Sequence, residues 1–169
     1  MKPEKVIAGK YVLIVDDEQD VLDTLVELLD MCRLDTASSF GEAKKLLEEN
    51  KYDIAVLDIM GVDGYELLKI ANAHSIPAVM LTAHALSADN LKRSAEEGAA
   101  YYAPKDKMDD IVSFLADVFQ AIDEGKNPLD KMMDRLSQFF DKRFHGTDWQ
   151  KQMEDYVESK VGYKIKHSS

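Results

Sequence analysis

The sequence predicts an α/β protein, a doubly wound five-stranded parallel sheet followed by an α-helical extension. Three observations lead there. Short apolar runs alternate with segments of helical periodicity over the first 124 residues. Four of those runs end in a polar or charged residue suited to a ligand site. The charge balance then changes near Gly125. Residues 1–124 carry 12 Lys/Arg against 25 Asp/Glu, a net of −13, and residues 125–169 carry 9 against 7, a net of +2.

The elements follow in order. Tyr11–Val15 is a continuous apolar run between Gly9 and Asp16, as expected of a strand covered on both faces. Leu22, Leu25, Val26 and Leu29 then recur at helical spacing. Leu34–Ala37 is a short strand, and Ser39 caps a helix carrying Ala43, Leu46 and Leu47. Ile54–Leu57 is the third strand. Tyr65, Leu67, Leu68 and Ala71 mark a helix after Gly64. Ala78–Leu81 is the fourth strand, entered through Pro77. Ser87 caps a helix with Leu91 and Ala95, which Gly98 ends. Ala100–Ala103 is the fifth strand, and Ile111, Phe114, Leu115, Val118, Phe119 and Ile122 form the next helix. Such alternation implies right-handed crossovers, with helices on both faces of a parallel sheet.

Gly125-Lys126-Asn127-Pro128 is a break, with Asn127 as cap and Pro128 at the first helical position. Leu129, Met132, Met133, Leu136, Phe139, Phe140 and Phe144 follow helical spacing. His145-Gly146-Thr147-Asp148 is a second break. Trp149, Met153, Tyr156 and Val157 predict another helix, ending before Gly162, and Tyr163–Ser169 are expected to fray. The division is therefore residues 1–124 as one unit and 125–169 as a two-helix extension. The extension is too small for a core of its own, so its apolar face must pack on something. The expected ways to bury it are a homodimer, through these helices or through the face of the fourth helix, fifth strand and fifth helix, and a lid in which the mildly basic extension lies against the acidic first 124 residues.

Composition bounds the function. The chain of 169 residues has a formal charge of −11, which argues against nucleic-acid binding. No apolar run approaches the ~20 residues that span a bilayer, and Met1–Lys10 lacks a signal-peptide pattern. With Cys32 alone there is no intrachain disulfide, in keeping with a reducing, cytoplasmic setting. His74, His84, His145 and His167 have no metal-ligand spacing.

Ligands of open parallel sheets bind where the strand C-termini converge. Asp16 and Asp17, Asp58, Thr82 and Lys105 stand at four such ends. Three carboxylates, a hydroxyl and an ammonium suit a divalent cation with a phosphoryl group. Singly each residue has a plainer role: Asp16 or Asp17 can cap a helix, and Asp58 can be a loop aspartate. Together, Val15-Asp16-Asp17-Glu18, Leu57-Asp58, Leu81-Thr82-Ala83 and Tyr102-Ala103-Pro104-Lys105 resemble the receiver domain of bacterial response regulators, with its flavodoxin-like fold, over residues 8–124. The resemblance implies a two-component signalling protein rather than a turnover enzyme. It makes Asp58 the phosphoacceptor for a sensor histidine kinase. Mg2+ would be held by Asp16, Asp17, Asp58 and the backbone carbonyl of Met60. Thr82 and Lys105 would contact the phosphoryl group, and Tyr102 would be the aromatic switch.

Two departures from the family pattern stand out. The loop Ile59-Met60-Gly61-Val62-Asp63 is shorter than usual and has no proline, and Gly61 is expected to take positive φ. Lys105 is followed by Asp106 instead of proline. These two features are the grounds for an alternative, a non-phosphorylated pseudo-receiver acting as an interaction or dimerisation module. A haloacid-dehalogenase-like phosphohydrolase fits less well, because Asp58-Ile59-Met60 lacks that family's second aspartate.

Overall fold

The computed structural model describes residues 1–83, 86–144 and 148–156. Five parallel strands lie in the order β2-β1-β3-β4-β5: β1 Tyr11–Val15, β2 Arg33–Ala37, β3 Ile54–Asp58, β4 Ala78–Thr82 and β5 Tyr101–Pro104. The helices are α1 Pro3–Ile7, α2 Gln19–Leu28, α3 Phe40–Glu49, α4 Gly64–Ala73, α5 Ala88–Glu96, α6 Ile111–Asp123 and α7 Pro128–Arg143. A 3-10 helix spans Lys105–Asp110, and residues 149–156 are again helical. The expected α/β class and strand order of a flavodoxin-like sheet are thus present, with β1 and β3 side by side at the point where the winding reverses.

The local reasons match the sequence. β1, β3 and β4 are buried almost throughout, as strands sandwiched between helices must be. Ser39 Oγ accepts the Glu42 N–H at α3, and Ser87 Oγ accepts the Asn90 N–H at α5. Asn127 Oδ1 accepts the Leu129 N–H, with Pro128 opening α7. Differences are small. β2 starts at Arg33, and β5 is shifted by one residue to end at Pro104. Val26 and Ile122 lie exposed at the margins of their helices. Helix α1, which carries no periodicity long enough to announce itself, sets Ile7 into the core and packs on α6. Cys32 is half-buried with its thiol donating to the Ile7 carbonyl; burial, then the Asp30 charge, pushes its pKa up to about 11, so it is no reactive thiolate. The expected roles of His84, His145, His167, Gly146, Thr147 and Val157, and the fraying of Tyr163–Ser169, fall outside the described residues.

The apolar stripe of α7 finds its partner within the chain. Gly125 takes φ +69° and the turn folds α7 back on α6. Leu129, Met132, Met133, Leu136 and Phe140 are buried in the same core as the sheet. Of the two expected ways to bury the stripe, the structure shows the one within the chain: β5 is an edge strand, and α7 covers it. Successive β5 side chains point to opposite faces, and both meet α7. The Tyr102 ring centroid lies 6.0 Å from that of Phe140. Tyr101 donates to Asp117 Oδ2 at 2.8 Å, and Arg135 grips the same carboxylate at 2.7 and 3.0 Å. Phe139, expected in the stripe, lies at its margin under Lys107 and Arg143, 5.5 and 5.6 Å from its ring centroid.

Truncating Phe140 removes a fully buried ring from this contact. Phe140→Ala should cost about 3–5 kcal/mol of unfolding free energy, read from urea denaturation. A loss below about 0.5 kcal/mol, the scale of a surface substitution, would mean that α7 is not part of the core.

Candidate functional site at the strand C-termini

Strand register assembles the site. Val15 pairs with Leu57, so the next residues, Asp16 and Asp58, stand side by side. Asp58 pairs with Leu81, setting Thr82 one step further, and Thr82 pairs with Pro104, which brings Lys105 to the same edge. Asp16, Asp58, Thr82 and Lys105 are all buried there.

Lys105 is the centre of the charge cluster. Its Nζ lies 2.8 Å from Asp16 Oδ2, 3.2 Å from Glu18 Oε1 and 3.3 Å from Asp58 Oδ1. Burial works against the ammonium, but the hydrogen bond and charge of Asp16, then Asp58 and Glu18, outweigh it and push the pKa up to about 12. Asp58 moves the other way from a normal carboxylate. Burial first, then the negative charge of Asp16, raises its pKa to about 6 despite the opposing pull of Lys105.

Asp16, Asp17 and Glu18 offer carboxylate oxygens within 4.8 Å of one another. Asp16 is buried and the other two are exposed, so the group opens to solvent on one side. Asp16 Oδ1 accepts the Glu18 N–H at 2.9 Å, which turns the chain toward the site; no side chain caps α2 itself. The short β3–α4 loop closes on this cluster. Gly61 has φ +81°, as expected, and a Cβ there would collide with the Asp17 carboxylate. A Cβ on Gly64 would strike the Asp58 carbonyl. Glycines at these two positions allow a loop of this length. Met60 is half exposed and lines an open depression with Gly61, Asp63, Tyr65 and Arg93.

Tyr102 is fully buried, with its hydroxyl accepting the Ser87 N–H at 3.3 Å. Asp16, Asp17, Asp58 and Lys105 contribute to the acidic edge through their side chains; Thr82 is buried at the end of β4 next to them, and Tyr102 sits beneath on β5. One contributor was missed. Glu18 lies in the same acidic run as Asp16 and Asp17, a signal that was available. Asp106, seen as a charge added beside Lys105, instead faces Arg143 at 3.9 Å.

The fold and this edge define the class. The family model for the response regulator receiver domain matches residues 12–116, and the chain belongs to that family. It is thus a two-component response regulator receiver, a signalling protein. Among curated proteins it is similar to the heme response regulator HssR of Staphylococcus aureus (strain Newman), 38% identical over 98 residues, which cover 55% of this chain and 43% of HssR. The chain therefore spans less than half the length of the curated relatives it matches. Solved structures give the same fold. The Francisella response regulator 1452 receiver domain aligns with a TM-score of 0.60 at 24% identity, covering 68% of this chain and 99% of that one. A putative response regulator from Chloroflexus aurantiacus aligns at 0.59 with 26% identity, covering 66% and 98%. Among the described residues no helix is long and apolar enough to cross a membrane.

The raised Asp58 pKa has a stability consequence. The folded protein favours the neutral acid, so the Asp58 contribution is fully present below the unfolded pKa of about 4 and is lost as pH rises through about 6. Without metal, Asp58→Asn should match the parent near pH 4 and exceed it by roughly 1–3 kcal/mol at pH 8. Thermal unfolding in chelator at both pH values checks this. A parent that remains the more stable at pH 8 would contradict the charge crowding.

Proposed function

We propose that Asp58 accepts a phosphoryl group from a sensor histidine kinase in the cytoplasm, and that the modification changes the surface around β5. The observation that carries this reading is the contact of a buried carboxylate with Lys105 beside two further aspartates. With a pKa of about 6, Asp58 is largely ionised at neutral pH and can act as the nucleophile. Its oxygen forms the bond to phosphorus as the phosphohistidine P–N bond breaks, and the departing imidazole nitrogen keeps the electron pair and takes a proton. Lys105 pairs with the phosphoryl oxygens, and the Thr82 hydroxyl donates to one of them. Tyr102 then follows Thr82 as the switch residue.

Asp16, Asp17 and Asp58, with the Met60 backbone carbonyl, would hold Mg2+, which supplies positive charge to the crowded carboxylates and the transferring group. The neighbouring carboxylates of Asp16, Asp17 and Glu18 fit a hard cation, since they offer oxygens only and the group is open on one side. Residues 1–124 form the receiver unit in this reading, and residues 125–169 are an extension folded against it. Neither ground for a non-phosphorylated module gains support. Gly61 fits the short loop around Asp17, and the Asp106 carboxylate, largely exposed, faces Arg143.

Incubation with acetyl phosphate and Mg2+ should add one phosphoryl group to the parent and none to Asp58→Asn, by intact mass. An equal gain in the variant would remove Asp58 from the role. Calorimetric titration of Asp17→Ala should show Mg2+ affinity reduced tenfold or more, about 1.4 kcal/mol. Equal affinities would exclude Asp17 as a ligand.

A further inference from the structure

We propose that α7, with the helical residues 149–156, is a regulatory latch that docks on the β5–α6 side of its own chain and lifts when Asp58 is phosphorylated. This rests on the phosphoacceptor reading above and adds a part of the chain beyond the matched receiver residues, 12–116.

Contacts between the latch and the receiver run from α6 across β5 to α5. On one side, Arg135 and Tyr101 converge on the Asp117 carboxylate of α6. In the middle, Phe140 packs against Tyr102, and Phe144 and Trp149 close over Phe140 with ring centroids 5.2 and 5.5 Å away. On the other side, Tyr156 donates its hydroxyl to the Ala95 carbonyl of α5 at 2.6 Å. The contact therefore bridges α5, β5 and α6.

Two of its supports are adjacent to the acidic site. Tyr102 holds the Ser87 N–H at the cap of α5, the helix that follows the strand bearing Thr82. Asp106, which faces Arg143 at the end of α7, directly follows Lys105. That exposed pair contributes little energy by itself, but it ties the latch to the Lys105 segment. A new anion on Asp58 draws Thr82 and Lys105 toward it. Tyr102 and the 3-10 helix then move, and a close-packed contact cannot follow without loss. The docked latch fits the unmodified arrangement better than the modified one, so phosphorylation and docking oppose each other.

Trp149, the single tryptophan and buried in the latch, is a built-in reporter. The full chain is treated with acetyl phosphate and Mg2+ and followed by intact mass, Trp149 emission and hydrogen exchange, with Asp58→Asn as control. Phosphorylation should shift the emission to longer wavelength and speed exchange in Leu129–Arg143 about tenfold, within the usual range of coupling. Coupling is reciprocal, so Arg135→Ala, which loosens the latch, should bind beryllofluoride several-fold more tightly than the parent. Mass gain with unchanged emission and unchanged α7 exchange overturns the latch and leaves the phosphoacceptor reading intact. Gain in Arg135→Ala but not in the parent supports a latch strong enough to block modification. No gain in either overturns the phosphoacceptor reading and the latch with it. Should Arg135→Ala fail to fold, exchange in the parent alone decides.

Discussion

The single ammonium of Lys105 among Asp16, Glu18 and Asp58 is the interaction on which the acidic edge depends. Like charges brought this close in a buried setting repel strongly, and one cation does not offset three carboxylates. Burial first, and then this imbalance, raise the Asp58 pKa. Nothing local would gather these groups; the sheet does. β1, β3 and β4 are apolar on both faces, so their register is held by helices above and below, and a slip would drag the whole apolar set out of place. The apolar strands thus hold an unfavourable charge arrangement, and any cation that enters relieves it.

The same logic extends to β5. As an edge strand it offers two tyrosines to whatever lies beside it. Helix α7 meets both faces, with an apolar contact to Tyr102 and a forked ion pair reaching Asp117 next to Tyr101. The buried Asp117 carboxylate would lose both of its forked donors if α7 left, keeping among the described residues the Tyr101 hydroxyl. The helix is therefore attached by burial and oriented by a bidentate pair, whose geometry a flexible lysine would not reproduce.

Much of this was legible in the sequence because the signals are local. A strand sandwiched between helices is an apolar run, and Ser39, Ser87 and Asn127 cap helices with their own side chains. The site residues stood out because each ends a strand, and parallel strands end together. Gly61 was legible because a shortened loop needs positive φ, but its close approach to Asp17 was not. What escaped depends on pairings distant in sequence. Periodicity gives α7 an apolar face but not its partner, so a dimer and a cis contact read alike until the turn at Gly125 is placed. Arg135 and Asp117 lie on different helices and look like ordinary surface charges. Asp106 looked like a defect beside Lys105 because adjacency in sequence says nothing about the direction of a side chain.

Asp106 also shows how two levels of structure meet. The 3-10 helix begins with Lys105, whose side chain reaches in to the acidic edge, and its second residue reaches out to α7. β5 repeats this arrangement one turn of chain earlier, where Tyr102 contacts Ser87 of α5 and Phe140 of α7. A segment of five residues, 102–106, therefore touches the charge cluster, the cap of α5 and the extension. In a close-packed interior such a segment cannot adjust to one neighbour without disturbing the others. That is the physical basis for expecting the acidic edge and α7 to respond to each other, whatever enters the site.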